Sequence, residues 1–239
     1  MPAQAPKSST GRNLPPILTR IARKFSSITM TLDTWFAFFI ACWVISLSPG
    51  AGAVASMSSG LSFGFRRGFW NAIGLQLALI LQIAIVAAGV GAILARSELA
   101  FALIKWFGVL YLLYLGWKQW TAAPSDLHAE AVDKRRGHPG ALVLRGFIVN
   151  ASNPKAIVFI LAVLPQFLDA TRPLLAQYLT MTITMVGVDL IVMAGYTGLA
   201  ARVLRLLREP GQQRLLNRIF GGLFAAAAAL LATLRQAAH

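Results

Sequence analysis

The chain has 239 residues, of which 57% are hydrophobic and only 13% are charged, and its mean hydropathy is +0.66. This composition excludes an ordinary soluble domain, in which about a quarter of the residues are charged, and predicts a polytopic membrane protein. A formal net charge of +14 would suggest nucleic acid in a soluble protein. Here most of the basic residues fall in a few loops, so we expect no nucleic-acid partner.

Residue types that serve other chemistries are scarce. Cys42 is the single cysteine and lies in an apolar span, so neither a disulfide framework nor a thiol metal site is predicted. The three histidines lack helical ligand spacing, and no G-x-x-x-x-G-K-[ST] run is present, which excludes an ATP-driven pump. The spans hold no paired carboxylates or nucleophile–base set. We therefore expect no metal, no cofactor and no enzyme.

Residues 1–29 differ from the rest of the chain. They contain several lysines and arginines but no acidic residue. An organellar targeting peptide has this composition, but we favour upstream sequence that is translated because the start is placed too early, with Met30 as the true start. We expect this segment to be disordered or spurious, and the membrane domain to cover residues 30–239.

Six apolar spans follow, each near the roughly 20 residues that a helix needs to cross the bilayer. They run over about Leu32–Met57, Gly68–Ala95, Leu99–Trp120, Ala141–Phe167, Leu174–Ala201 and Ile219–Leu234. A polar loop at 122–140 separates two halves, at about 30–121 and 141–239. The predicted fold class is an all-α membrane protein with six transmembrane helices. Small-residue faces permit a homodimer without requiring one.

Lysine and arginine set the expected orientation, because cytoplasmic loops are enriched in them. The loops after spans one, three and five hold most of these residues, and the opposite loops hold few. We expect the odd-numbered loops to be cytoplasmic and both termini to lie outside. The basic residues of segment 1–29 would oppose this orientation.

Two proline breaks interrupt spans one and four, about a hundred residues apart. The first reads Ser48-Pro49-Gly50-Ala51-Gly52, and the second reads Asn150-Ala151-Ser152-Asn153-Pro154-Lys155. A proline inside a helix removes a backbone donor. Paired broken helices in two halves are the best sequence indication of a transporter's binding site. Since each half has three spans, equivalent halves must be inverted, so we predict two inverted three-helix repeats.

The breaks supply most of the candidate residues for substrate binding or coupling. After Pro49 and Gly50, the free N–H groups of a new helix near Gly52 suit a carboxylate. Beside Pro154, Asn150 and Asn153 offer amide groups to an amino or carboxyl group. The alternative is that both prolines merely kink their helices, as prolines in membranes often do.

Two opposite charges lie near mid-membrane, Lys155 in span four and Asp189 in span five. A charge at that depth costs several kcal/mol and is normally paired or faces a cavity. The two side chains either form an ion pair or bind the two ends of a zwitterion. A purely structural lock between spans four and five is the alternative.

From about Met30 to the C-terminus, several short motifs occur in a characteristic order and spacing. They are Ser48-Pro49-Gly50, Arg66-Arg67-Gly68, Lys105-Trp106-Phe107-Gly108, Asn153-Pro154-Lys155-Ala156, Leu164-Pro165-Gln166-Phe167 and Asp189-Leu190. In these motifs the chain resembles the LysE/RhtB family of amino-acid exporters. The resemblance implies a six-helix inner-membrane protein that exports amino acids or close derivatives in exchange for protons.

One departure from that family matters. Its first break usually reads Pro-Gly-Pro followed by Asn or Asp, whereas this chain has Gly52 where the polar side chain is expected. Asp189 is then the only acidic group deep in the membrane, and we expect it to carry the proton. The predicted function is a secondary exporter of an amino acid by proton antiport. A passive channel for small zwitterions and a non-transporting scaffold are the alternatives.

Overall fold

The computed structural model describes residues 30–94, 98–122, 137–200, 202 and 209–233, and within these ranges all regular structure is helical. The predictions for segment 1–29 lie outside the described residues. The described residues form seven α-helices, and a short 3-10 helix at Leu164–Phe167 follows the fifth of them. In chain order these are α1 Leu32–Leu47, α2 Ala51–Leu94, α3 Glu98–Trp120, α4 Pro139–Ala151, α5 Pro154–Ala162, α6 Leu174–Gly198 and α7 Pro210–Thr233.

Helices end at both proline breaks. α1 stops at Leu47, and Ser48 has an extended backbone before α2 begins at Ala51. α4 stops at Ala151, and α5 begins at Pro154 after a bend of 58°. A proline is tolerated in the first turn of a helix because the N–H that it lacks has no partner there. Asn153 caps α5 by accepting a hydrogen bond from the Lys155 backbone N–H at 3.1 Å.

Gly64 turns α2 back on itself. Its φ of +69° lies in the left-handed region, which glycine occupies without steric cost. A Cβ on Gly68 would lie only 2.7 Å from the Ser59 carbonyl oxygen, so residues before the turn lie directly against residues after it. α2 is therefore a helical hairpin with arms at 51–63 and 65–94, which correspond to the end of predicted span one and to span two.

In the part of the chain that the structure describes, two helical segments are long and apolar enough to cross a membrane, Ala51–Gly89 and Leu174–Gly198. A third qualifies if the bent pair Pro139–Ala151 and Pro154–Phe167 counts as one span. α1 is apolar but shorter. Many large apolar side chains point outward from every long helix, among them Leu110, Trp117, Ile183, Ile191 and Leu215. Such an apolar exterior is typical of a protein surrounded by lipid.

The helices pack in pairs around α2. Its hairpin lies against α4 and α6, α1 lies against α6, and α3 lies against α7. The closest approach is between α2 and α4, where a Cβ on Gly74 would lie 1.9 Å from the Val143 oxygen, and one on Gly146 would lie 2.0 Å from the Asn71 oxygen. Small residues allow such backbone contact in membranes. This contact fixes the second break beside the middle of α2.

We expect Gly146→Val to destabilise the fold by about 3 kcal/mol, because the new side chain would overlap the backbone of α2. The melting temperature of the detergent-solubilised protein measures the effect. Gly89→Val is the matched control, because a Cβ on Gly89 meets nothing within 4 Å. Equal melting temperatures for the two variants would contradict the close packing of α2 and α4.

Candidate functional site

A narrow cavity of about 60 Å³ lies where the two breaks meet. Six of the predicted site residues line it: Gly50, Gly52, Asn150, Asn153, Lys155 and Asp189. Pro49 and Pro154 are not in the lining but produce the helix ends that form it. The volume holds a few water molecules. Apolar side chains complete the wall, contributed by Ile45, Leu75, Leu79, Met185 and Met193.

At the first break, side chains satisfy backbone carbonyls that have no helical donors because α1 ends there. The Tyr196 hydroxyl donates to the Leu47 oxygen at 2.7 Å, and the Lys155 ammonium donates to the Ser48 oxygen at 2.6 Å. On the other side of the break, α2 starts at Ala51 with N–H groups that have no helical acceptor. Gly50 and Gly52 bring this helix end to the cavity wall without side chains in the way.

At the second break, both asparagines hold the backbone. Asn150 is buried, and its amide donates to the Leu75 oxygen of α2 at 2.8 Å. Gln82 in turn donates to the Asn150 backbone oxygen at 2.9 Å. The Asn153 side chain is the cap of α5. The two residues therefore shape the cavity wall in addition to lining it.

Lys155 and Asp189 face the same cavity but are held by different partners, not by a salt bridge to each other. Lys155 donates to the first break, as above. Asp189 Oδ2 accepts a hydrogen bond from Gln76 Nε2 at 2.6 Å, and Ser46 lies on the same cavity wall. Of the two arrangements that the sequence leaves open, the structure has the separated charges. A cation and a carboxylate on one cavity are suited to the two ends of a zwitterion.

Sequence reasoning missed several residues that hydrogen-bond Asp189 or the backbone at the two breaks. Gln76 and Gln82 are six positions apart, so they do not share a helical face, and their spacing gave no signal. The available signal was chemical: an amide within a long charge-free span needs a polar partner when buried. Gln76 is only 4% exposed. Tyr196 gave no signal at all, because its contact with α1 depends on tertiary packing.

Comparison with known proteins supports the resemblance in the motifs. The family model for LysE type translocators matches residues 43–235. A homoserine/homoserine lactone efflux protein of Salmonella typhimurium is 43% identical over 209 residues, which cover 87% of this chain and 100% of that protein.

Two further relatives extend the comparison. An uncharacterized membrane protein of Vibrio cholerae is 42% identical over 85% of this chain and 98% of its own. A leucine efflux protein of Enterobacter is 27% identical over 85% of this chain and 96% of its own. No solved structure matches. The family match and the near-complete coverage of these relatives show that the chain is a membrane protein of the LysE type translocator family.

Proposed function

We propose that this protein is a secondary transporter that exports an amino acid or a close derivative from the cytoplasm by proton antiport. Its family consists of translocators and not of enzymes, and relatives are named for efflux of homoserine, homoserine lactone and leucine. The observation that carries the proposal is the cavity between the two breaks, where a helix N-terminus, Lys155 and Asp189 converge.

The polar groups of the cavity suggest how an amino acid binds. Its carboxylate takes the N–H groups at the start of α2 and the Lys155 ammonium, since helix N-termini and cations both attract anions. Its α-ammonium takes Asp189. The side chain lies against the apolar wall formed in part by Leu79 and Met185.

Six transmembrane helices in two inverted repeats form the architecture that we propose around this site. In this architecture a twofold axis in the membrane plane makes α1 and the first arm of α2 equivalent to α4 and α5. It makes the second arm of α2 equivalent to α6, and α3 equivalent to α7. The packing of the helices supports this symmetry. The twofold relates the contact between α1 and α6 to the contact between α4 and the second arm, and it maps the contact between α3 and α7 onto itself. The odd-numbered loops face the cytoplasm of a bacterium and the chain lies in its inner membrane.

Coupling follows if proton and substrate bind alternately to Asp189. A protonated Asp189 no longer attracts the ammonium group, so substrate leaves as the proton arrives. Each ligand must favour a different orientation of the transporter, because a ligand with equal affinity for both shifts nothing. The substrate then moves outward while protons move inward.

Purified protein in liposomes tests this function. With labelled homoserine, homoserine lactone or leucine, we expect uptake against a concentration gradient when the lumen is acidic, and counterflow of label when unlabelled substrate is inside. A growth screen of a sensitive bacterial host on single amino acids identifies further substrates. Flux that does not depend on the proton gradient and shows no counterflow would instead identify a passive channel. If no flux is detected, the protein is a non-transporting scaffold.

A further inference from the structure

Gln76 has one satisfied and one unsatisfied end. Its Nε2 donates to Asp189 Oδ2 at 2.6 Å, while its Oε1 is buried and has no hydrogen-bond partner in the part of the chain that the structure describes. A buried acceptor without a partner is unusual, because leaving it unsatisfied costs free energy. The other end of the same amide touches the one acidic side chain of the cavity.

We propose that Gln76 is a positioning residue that follows the protonation state of Asp189 by rotating its terminal amide. The inference rests on the proposed proton-carrying role of Asp189. An ionised carboxylate only accepts hydrogen bonds, so it takes the NH₂ group, as in the structure. A protonated carboxyl donates its O–H, and a half-turn of the amide presents Oε1 to receive it. The terminal torsion of glutamine is broad and roughly twofold, so both orientations are accessible.

Among the described residues no other partner fixes the amide in one orientation, since its oxygen accepts no hydrogen bond from them. The other titratable or charged groups around Asp189 are Cys42 of α1, Lys155 of α5 and Tyr196 of α6. Lys155 and Tyr196 donate to the α1 carbonyls at the first break, and Cys42 is a buried free thiol. Ser46 of α1 lies on the cavity wall together with Asp189.

The consequence is that Asp189 can gain and lose a proton while remaining hydrogen-bonded in both states. A buried carboxyl with a donor alone would favour the ionised form, and one with an acceptor alone would favour the protonated form. An antiporter must visit both forms in each cycle. Gln76 therefore keeps the two forms close in free energy.

Infrared difference spectroscopy during a pH titration tests the inference directly. The chain has only eight acidic residues, so few carboxylic C=O bands are expected. The band of Asp189 is identified as the one that is absent from the spectrum of the Asp189→Asn variant. In Gln76→Leu we expect that band at higher frequency, because the O–H has lost its acceptor. The midpoint of its titration should rise by about one pH unit, since a hydrogen bond to a charged group is stronger than one to a neutral group. The pH profile of efflux should move with it.

Two variants complete the design. Gln76→Met, with a flexible side chain that cannot donate, should reproduce both shifts and replaces Gln76→Leu if that variant does not fold. Thr182→Val is the control, because its hydroxyl donates within α6 to the Tyr178 oxygen at 2.7 Å. If the frequency and the titration midpoint of the Asp189 band are unchanged in the Gln76 variants, the Gln76 inference is wrong, but the proposed role of Asp189 in coupling is not affected. A wild-type spectrum without any titrating Asp189 band overturns the proposed coupling role, and the Gln76 inference with it.

Discussion

Asp189→Asn is expected to reduce proton-driven efflux to the leak of liposomes without protein, while the variant still inserts and folds. Asparagine has nearly the same shape as aspartate, so the cavity wall and the packing of α6 are preserved. Its carbonyl still accepts the hydrogen bond that Gln76 gives to the wild-type carboxylate at 2.6 Å. What it cannot do is bind and release a proton.

The loss is total, not partial, because coupling depends on a change of state. Proton binding can shift the equilibrium between the two orientations of a transporter only by the difference in their proton-binding free energies. Asparagine has no such difference. The neutral side chain also lacks the charge that holds the substrate's ammonium group, so exchange of substrate weakens as well.

The measurement is efflux from energised vesicles or uptake into liposomes with an acidic lumen, with the melting temperature as evidence of folding. Asp33→Asn is the matched control, because Asp33 is an exposed acid in the first turn of α1. That variant should transport like the wild type. Export by Asp189→Asn at the normal rate would show that the proton is carried elsewhere.

The sequence predicts the helices of this chain well because their signals are local. Long apolar runs gave spans that agree with α3 and α6 to within a few residues, and the prolines gave helix ends at Leu47 and Ala151. The N-terminal extent of α7 was missed. It begins at Pro210 and not near Ile219, because its first turns are polar and the prediction followed hydropathy alone.

The location of the candidate cavity could also be predicted, since a break in a membrane helix must be satisfied within the protein. Its hydrogen bonds could not. Gln76 and Asp189 are 113 positions apart, and Lys155 and the Ser48 carbonyl are 107 apart. Which side chains meet depends on how α2 packs on α4 and α6, and periodicity identifies a face of a helix but not its partner. Both charges that the sequence singled out line the cavity, but the sequence could not assign their partners.

Lys155→Met should raise the KM for an amino-acid substrate by roughly tenfold or more. The expected size is that of one hydrogen bond to a charged group, about 1.5–3 kcal/mol. Lys155 lies beside the N-terminus of α2. Its Nζ is near Gly50 and donates a hydrogen bond to the Ser48 backbone oxygen. Its three N–H donors allow it to hold that carbonyl and a carboxylate together.

A pair of related substrates separates binding from structure. Homoserine has a free carboxylate, and its lactone does not. If Lys155 binds the carboxylate, Lys155→Met should impair transport of homoserine much more than transport of the lactone. If it only ties the two breaks together through Ser48, both substrates should lose equally.

The two KM values measured in liposomes, for wild type and variant, decide between these outcomes. Lys118→Met is the control, since Lys118 is exposed in the last turn of α3 and should leave both KM values unchanged. Lys155→Arg should partly restore homoserine transport, because it retains the charge with a different geometry. An equal loss for both substrates would assign Lys155 to the support of the first break. The substrate carboxylate would then be bound by the backbone N–H groups at the start of α2, beside Gly52 on the cavity wall.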